Sequence, residues 1–171
     1  MTNAAYWIEK LQLIKHEEGG YYKEIYRSSL TVNKSQLPES FHGDRNFSTS
    51  IYFLLEEKQF SAFHQIASDE QWHFYAGNCL MIYEIEPDGK LTEHKLGNNP
   101  ENAESFQIVI KAGSWFGSRL ANGEGYALVG CTVSPGFDFE DFELAERKTL
   151  INEFPQHDDV IRKLTRTTSS I

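Results

Sequence analysis

Short runs in which apolar and polar side chains alternate with period two fill most of the chain, as half-buried strands do. In the clearest of them, Phe60, Ala62, His64 and Ile66 fall on one side and Ser61, Phe63 and Gln65 on the other. After a turn over Ala67-Ser-Asp-Glu70, the residues Glu70, Trp72 and Phe74 share one face, with Gln71, His73 and Tyr75 opposite, and Gly77 closes the run. Two strands joined by so short a turn are expected to form a hairpin. A histidine and a carboxylate would then sit on facing strands among apolar neighbours.

The same pattern predicts strands over Tyr21–Ser29, Ser48–Glu56, Phe106–Lys111 and Tyr126–Val133. In the first, Tyr22, Glu24 and Tyr26 face one way and Lys23, Ile25 and Arg27 the other; in the second, Tyr52 faces with Ser50 and Leu54. Leu80–Glu86 and Leu91–Leu96 are expected to pair across Pro87-Asp-Gly89. Helical spacing is confined to the ends. Trp7, Ile8, Leu11 and Ile14 predict a helix over residues 3–15, capped by Asn3 and ended by His16-Glu-Glu-Gly-Gly20. Beyond Pro135-Gly136, Leu144, Ile151 and Phe154 predict a helix capped by Asp141 and stopped by Pro155. Val160, Ile161 and Leu164 add a short one, and residues 165–171 read as a frayed tail. The polar stretch around Pro38, Gly43 and Asp44 is the longest candidate lid. Short strands without alternating helices argue one all-β domain over residues 1–171, a jelly roll or sandwich with helices at both ends.

A formal net charge of −9 over 171 residues argues against nucleic acid and anionic membrane surfaces as partners. No 18-residue apolar run is present, so no membrane span is expected. Without a basic region followed by an apolar one at the N-terminus, no signal peptide is expected, and the cytoplasm is the expected location. Cys79 and Cys131 lie far apart in apolar runs and read as buried free thiols.

His64, Glu70 and Gly77 have the spacing of the first cupin motif, with Ile66 where that motif carries a second histidine. Lys111-Ala-Gly-Ser-Trp-Phe116 resembles the second motif, with Phe116 in place of its histidine. Together with Glu18-Gly-Gly-Tyr-Tyr-Lys-Glu-Ile-Tyr-Arg-Ser28, Ser50–Leu55 and Gly130–Leu144, these segments make the chain similar to a cupin-type family of unknown function. The resemblance implies a cupin jelly-roll barrel (a double-stranded β-helix) and a homodimer. It implies a metal held by three imidazoles and a carboxylate, but only His64 and Glu70 remain here. His73 would join them only if a bulge turned it inward. No metal and no other cofactor is therefore expected.

Metal-free cupin-fold epimerases of nucleotide sugars offer a second comparison. Their strand histidine removes a proton next to a carbonyl and a tyrosine returns one, so the resemblance implies His64 as base, Glu70 as its orienter and Tyr52 as acid. Those enzymes carry an arginine where this chain has Ser61, which argues against a nucleotide sugar. Candidate ligand contacts are Arg45, which can grip an anion, the aromatic walls Trp72 and Phe116, Gln107, and Asp138 or Glu140 in an acidic flap. The expected function is a pocket for a small, sugar-like molecule, used for isomerase or epimerase chemistry. The alternatives are a binding module without chemistry, in which His64 and Glu70 form a structural pair, or a metal-dependent enzyme.

Overall fold

Pairing between strands far apart in the sequence defines the architecture. The computed structural model describes residues 3–167. In chain order it contains α1 (Ala4–Leu11), β1 (Ile14–Lys15), β2 (Tyr21–Arg27), β3 (Thr31–Val32), β4 (Arg45–Asn46) and β5 (Thr49–Glu56). Then come β6 (Phe60–Gln65), β7 (Asp69–Gly77), β8 (Leu80–Ile85), β9 (Leu91–Leu96), β10 (Gln107–Ile110) and β11 (Trp115–Leu120). The chain finishes with β12 (Tyr126–Ser134), β13 (Glu143–Leu144), α2 (Arg147–Glu153) and α3 (Asp158–Lys163). One sheet has the order β1-β2-β5-β12-β7-β10, the facing one β13-β6-β11-β8-β9, and β3-β4 form a small ribbon.

The sheets close over Phe53, Trp72, Ile82, Ile110, Phe116 and Val129. Outside the five-stranded sheet, α2 and α3 press Leu150, Phe154, Ile161 and Leu164 onto Phe63 and Ile85. Outside the six-stranded sheet, α1 packs Trp7 and Ile8 against Leu54 and Leu128. This is the expected jelly-roll barrel with helices outside it. No helix among the described residues is long and apolar enough to cross a membrane.

The expected hairpin does not form. β6 pairs with β11 and β13, whereas β7 pairs with β10 and β12. The link between β6 and β7 crosses from one sheet to the other, and loops satisfy it: the Ile66 carbonyl accepts from the Gly113 N–H (3.1 Å) and Ser68 Oγ donates to the Pro135 carbonyl (2.7 Å). Both strands have apolar side chains to bury from opposite layers, so alternation could not tell a hairpin from a crossover.

Other boundaries move for local reasons. Asn3 caps α1 as expected, accepting from the Tyr6 N–H at 2.9 Å, but Gln12 turns left-handed (φ 57°) and ends the helix early, leaving Ile14 exposed on β1. Leu144 extends β13, and α2 starts after Glu146, whose carboxylate accepts from the Thr149 N–H at 2.7 Å. Asp141 is therefore not the cap. β11 was not anticipated, because Gly117, Ser118 and Arg119 dilute its pattern. The candidate lid around Pro38 is tied down by buried Phe41 and by the Asp44 carboxylate on the Lys34 N–H (2.7 Å). In the expected tail, Thr165 is buried and bonded to the Ile161 carbonyl, while residues 168–171 lie outside the described ones.

Two irregularities decide what faces inward. β2 carries an extra residue at Ile25 relative to β5, since Glu24 faces Ile51 and Tyr26 faces Ser50. The shift brings Arg27 onto the face of Tyr22 and Glu24. β6 slips similarly against β11 between His64 and Ser61, which brings Ser61 to the side of His64.

Candidate functional site

A turn, rather than a strand, supplies the central acid. Between β1 and β2, the His16 N–H bonds the Gly20 carbonyl (3.1 Å) and the Gly19 N–H returns to His16 (3.2 Å). Gly19 and Gly20 have φ of 120° and 72°, and a Cβ on Gly20 would lie 2.6 Å from the Leu54 carbonyl oxygen. Only glycines let this turn lie against β5. The turn is stitched to the slipped segment of β6. The Glu18 carbonyl accepts from the Ala62 N–H (2.8 Å), and Glu18 Oε1 accepts from the Ser61 hydroxyl (2.8 Å). Its other oxygen, Oε2, lies 3.2 Å from His64 Nε2 and 3.6 Å from His16 Nδ1.

The ring hydrogen of His64 can be located. His64 Nδ1 is 2.8 Å from the Ala62 carbonyl oxygen, which can only accept, so Nδ1 carries the ring hydrogen. The imidazole lies against Phe116 and Phe142, with centroids 4.1 and 5.4 Å away. Burial takes its pKa from 6.5 down to about 4, against the opposing Ala62 bond. A neutral ring presents a lone pair at Nε2. Burial likewise raises Glu18 above the usual carboxylate range, against the pull of His16, Ser61 and Arg166. A neutral His64 can only accept at Nε2, so the Glu18 carboxyl donates there whenever it holds a proton.

Across the barrel, β7 contributes Glu70. Burial first, and then the neighbouring Glu18, push its pKa up to about 8, while Cys131 and Trp72 pull it down. Burial pushes the adjacent Cys131 thiol well above its usual range, as it lifts half-buried Cys79 to about 11. His16 is held below its usual value, chiefly by burial. Its Nδ1 accepts from the Glu18 N–H (3.2 Å), and its ring meets Tyr22 edge-on at 4.5 Å. Glu18, His64, Glu70, Cys131, His16 and Tyr22 line a cavity of about 190 Å³ whose walls include Phe53, Ile66 and Val133. Glu24, Arg27, Asp138 and half-exposed Phe139 also line it. The Arg27 donors are engaged: Nε and Nη2 on Glu24 (3.0 and 2.7 Å), Nη1 on Asn46 Oδ1 (2.9 Å) and the Phe137 carbonyl (3.2 Å).

Of the expected site residues, His64, Glu70 and Asp138 line this cavity. Glu18, not Glu70, is the carboxylate on His64. Tyr52 lies on the other face of β5, packed near α1 and 6.0 Å from the Tyr75 ring, because Ile51 and Phe53 take the inward positions. Arg45 is buried against Asp141 and Glu140, so neither it nor Glu140 lines the cavity. Trp72 and Phe116 are 1% exposed and belong to the core. Gln107 is exposed on the edge strand β10, opposite His73. His73 stays on the outer face, 3.2 Å from Thr132 Oγ1. The sequence reading overlooked His16, Glu18 and Tyr22. The available signal was an acid followed by two glycines at the start of a strand.

The donor set does not suit a metal. Among the described residues, no three His, Cys, Asp or Glu side chains are grouped to hold one, and Ile66 and Phe116 occupy the positions of the missing imidazoles.

Fold and site together define a cupin barrel whose remaining histidine is paired with an acid from the first turn. The chain belongs to the family described as "Cupin superfamily (DUF985)", whose model matches residues 5–145. It is 35% identical over 146 residues to the uncharacterized protein YML079W of Saccharomyces cerevisiae, covering 78% of this chain and 71% of that one. Among solved structures it is similar to protein SO0799 from Shewanella oneidensis, with TM-score 0.88 and 42% identity over 97% of this chain and 99% of that one. A hypothetical protein from Leishmania major follows at TM-score 0.87 and 35% identity, over 97% and 100% of the two chains. Oxalate decarboxylase from Bacillus subtilis, at TM-score 0.53 and 16% identity over 88% of this chain and 36% of that one, shares the fold alone.

Proposed function

We propose that the cavity binds a small, uncharged, sugar-like molecule and moves a proton next to its carbonyl group, as an isomerase or epimerase does. The observation that carries this reading is the buried 3.2 Å contact between Glu18 and His64, across which a proton can move. A proton leaving the ligand passes to Glu18 as the carboxyl's own proton moves to His64 Nε2. Protonated Glu70, on the opposite sheet, gives its proton to the carbonyl oxygen. An enol results, with an imidazolium and a carboxylate left on the protein; reversal at either face or at the neighbouring carbon completes the reaction. Tyr22 replaces Tyr52 as the tyrosine within reach.

Size and charge support the ligand class. An apolar cavity of roughly 150 Å³ holds benzene, so about 190 Å³ suits a single ring and is too small for a nucleotide sugar. No lysine among the described residues lines the cavity, Glu24 and Asp138 do, and its one arginine is already satisfied, which disfavours an anion.

Proton NMR of unphosphorylated aldoses and ketoses incubated with the protein in D2O tests the reading. Deuterium is expected next to the carbonyl of one of them. Glu18→Gln keeps the hydrogen bonds, because its amide can donate to Nε2, but holds no transferable proton. It should slow exchange at least about 100-fold with an unchanged melting temperature, while Tyr52→Phe leaves exchange alone. A sugar that raises the melting temperature without exchanging would instead establish a binding module.

The exposed Ile14, Ile25 and Tyr26 on β1 and β2 support a second copy of the chain on that edge. Sedimentation should return a dimer mass, and a monomer at all concentrations would exclude it.

A further inference from the structure

On a chain with 25 acidic and 16 basic residues, two adjoining surface hollows gather the opposite charge. They meet at the turn from β5 to β6 and share Lys58, Gln59 and Phe60. Lys15 and Arg166 flank the first; Arg119 from β11 and Lys163 from the end of α3 flank the second. The second, about 300 Å³, is lined by no carboxylate among the described residues, and the first by Glu17 alone. The lysine and arginine ion pairs of the described residues use Lys10, Arg27, Arg45, Lys90, Lys111 and Arg162. The cations around the hollows take part in none of them, though Arg119 and Lys163 also line a neighbouring hollow with Glu93 and Asp159.

One of those cations stands on a tight turn and another is held in place by contacts. Lys58 adopts φ 64°, a left-handed conformation uncommon outside glycine, in a turn closed by the Gln59 N–H on the Glu56 carbonyl (3.1 Å). The Arg166 guanidinium lies 5.1 Å from the centre of the Phe60 ring and donates to the Glu17 carbonyl at 3.3 Å. A side chain on Gly19 would meet Arg166 Nη2, so the glycine that shapes the catalytic turn also leaves room for this arginine. Like charges gathered around one hollow repel one another unless an anion joins them. The net charge of −9 repels an extended polyanion such as nucleic acid, which leaves a compact one. Lysine ammoniums bind phosphate as point charges and arginine as a fork.

We propose that the second hollow, lined by Lys58, Arg119 and Lys163 with Arg166 on the adjoining one, binds the phosphate group of a small molecule, at a site separate from the barrel cavity. Isothermal titration with pyrophosphate at low ionic strength should show one site per chain. Lys58→Gln and Lys163→Gln should each weaken it about tenfold, while Lys95→Gln, on β9, leaves it unchanged. A sugar phosphate binding more tightly than inorganic phosphate would identify an organic phosphate as the ligand; equal affinity would identify the free ion. No measurable heat with any of these anions, or an equal loss in the Lys95→Gln protein, would overturn the proposal. Glu18→Gln should not alter phosphate binding, so this site and the cavity chemistry stand or fall separately.

Discussion

Arg45→Met is expected to destabilise the protein by about 3–5 kcal/mol, the usual result of stranding one member of a buried ion pair. Arg45 Nε and Nη2 donate to the two Asp141 oxygens at 2.6 and 2.7 Å, and both side chains are at most 5% exposed. The pair ties the strand before β5 to the segment that leads into β13, residues some 96 positions apart. Burial alone would raise the Asp141 carboxyl, but Arg45 and the His42 N–H outweigh it and hold it below its usual range. Without the guanidinium, that carboxylate keeps only His42. Adding Asp141→Leu should restore most of the loss, since apolar side chains of similar volume often replace a buried pair at little cost. Urea denaturation measures both. A single variant that loses less than about 1 kcal/mol, the range of exposed pairs, would show that Arg45 is solvated after all.

Glu70 sets the largest expected pH effect. Its pKa is about 8 in the folded chain and 4.5 as an ordinary glutamate. Between those values the folded state keeps a proton that the unfolded state has released, so stability falls as pH rises, by roughly 3 kcal/mol at pH 7. His64 works in the other direction. Its pKa is about 4 when folded and 6.5 otherwise, so below 6.5 the unfolded state binds the extra proton and stability rises with pH. From 4.5 to 6.5 the two slopes oppose each other, and above 6.5 the His64 slope has ended and that of Glu70 remains. Glu18, also raised, and His16, also lowered, act in the same respective directions. Unfolding free energy should therefore be nearly flat up to pH 6.5 and drop by roughly 2 kcal/mol towards pH 8. Glu70→Gln should remove most of that drop, and a wild-type curve still rising from pH 6.5 to 8 would mean that the carboxyl is ionised in the folded protein.

The mechanism also bears on how the site could be found. His64 and Glu70 were legible because each stands in an alternating run with apolar neighbours, where an inward polar group draws notice. Tyr52 illustrates the weakness of that logic: a period of two gives two faces without saying which one looks into the barrel. On β5 the inner face went to Ile51 and Phe53, since Tyr52 could pack near α1 on the outer side. Arg45 and Glu140 read as ligand contacts, and Arg45 proved to be the partner of Glu140 and Asp141. Charge complementarity within the chain is invisible until the chain has folded.

By itself, the sequence determined the all-β class, most strand positions, the capped first helix, and the loss of the imidazoles at Ile66 and Phe116, because these follow from side-chain period and identity. Tertiary structure alone decided that β6 and β7 lie in different sheets, that slips at Ile25 and beside Ala62 turn Arg27 and Ser61 inward, and that Glu18 meets His64 from 46 residues upstream. The physical reason is that backbone pairing and burial are satisfied globally. A one-residue slip reverses every later side chain in a strand, and a two-glycine turn reaches its partner only once both sheets have closed around it.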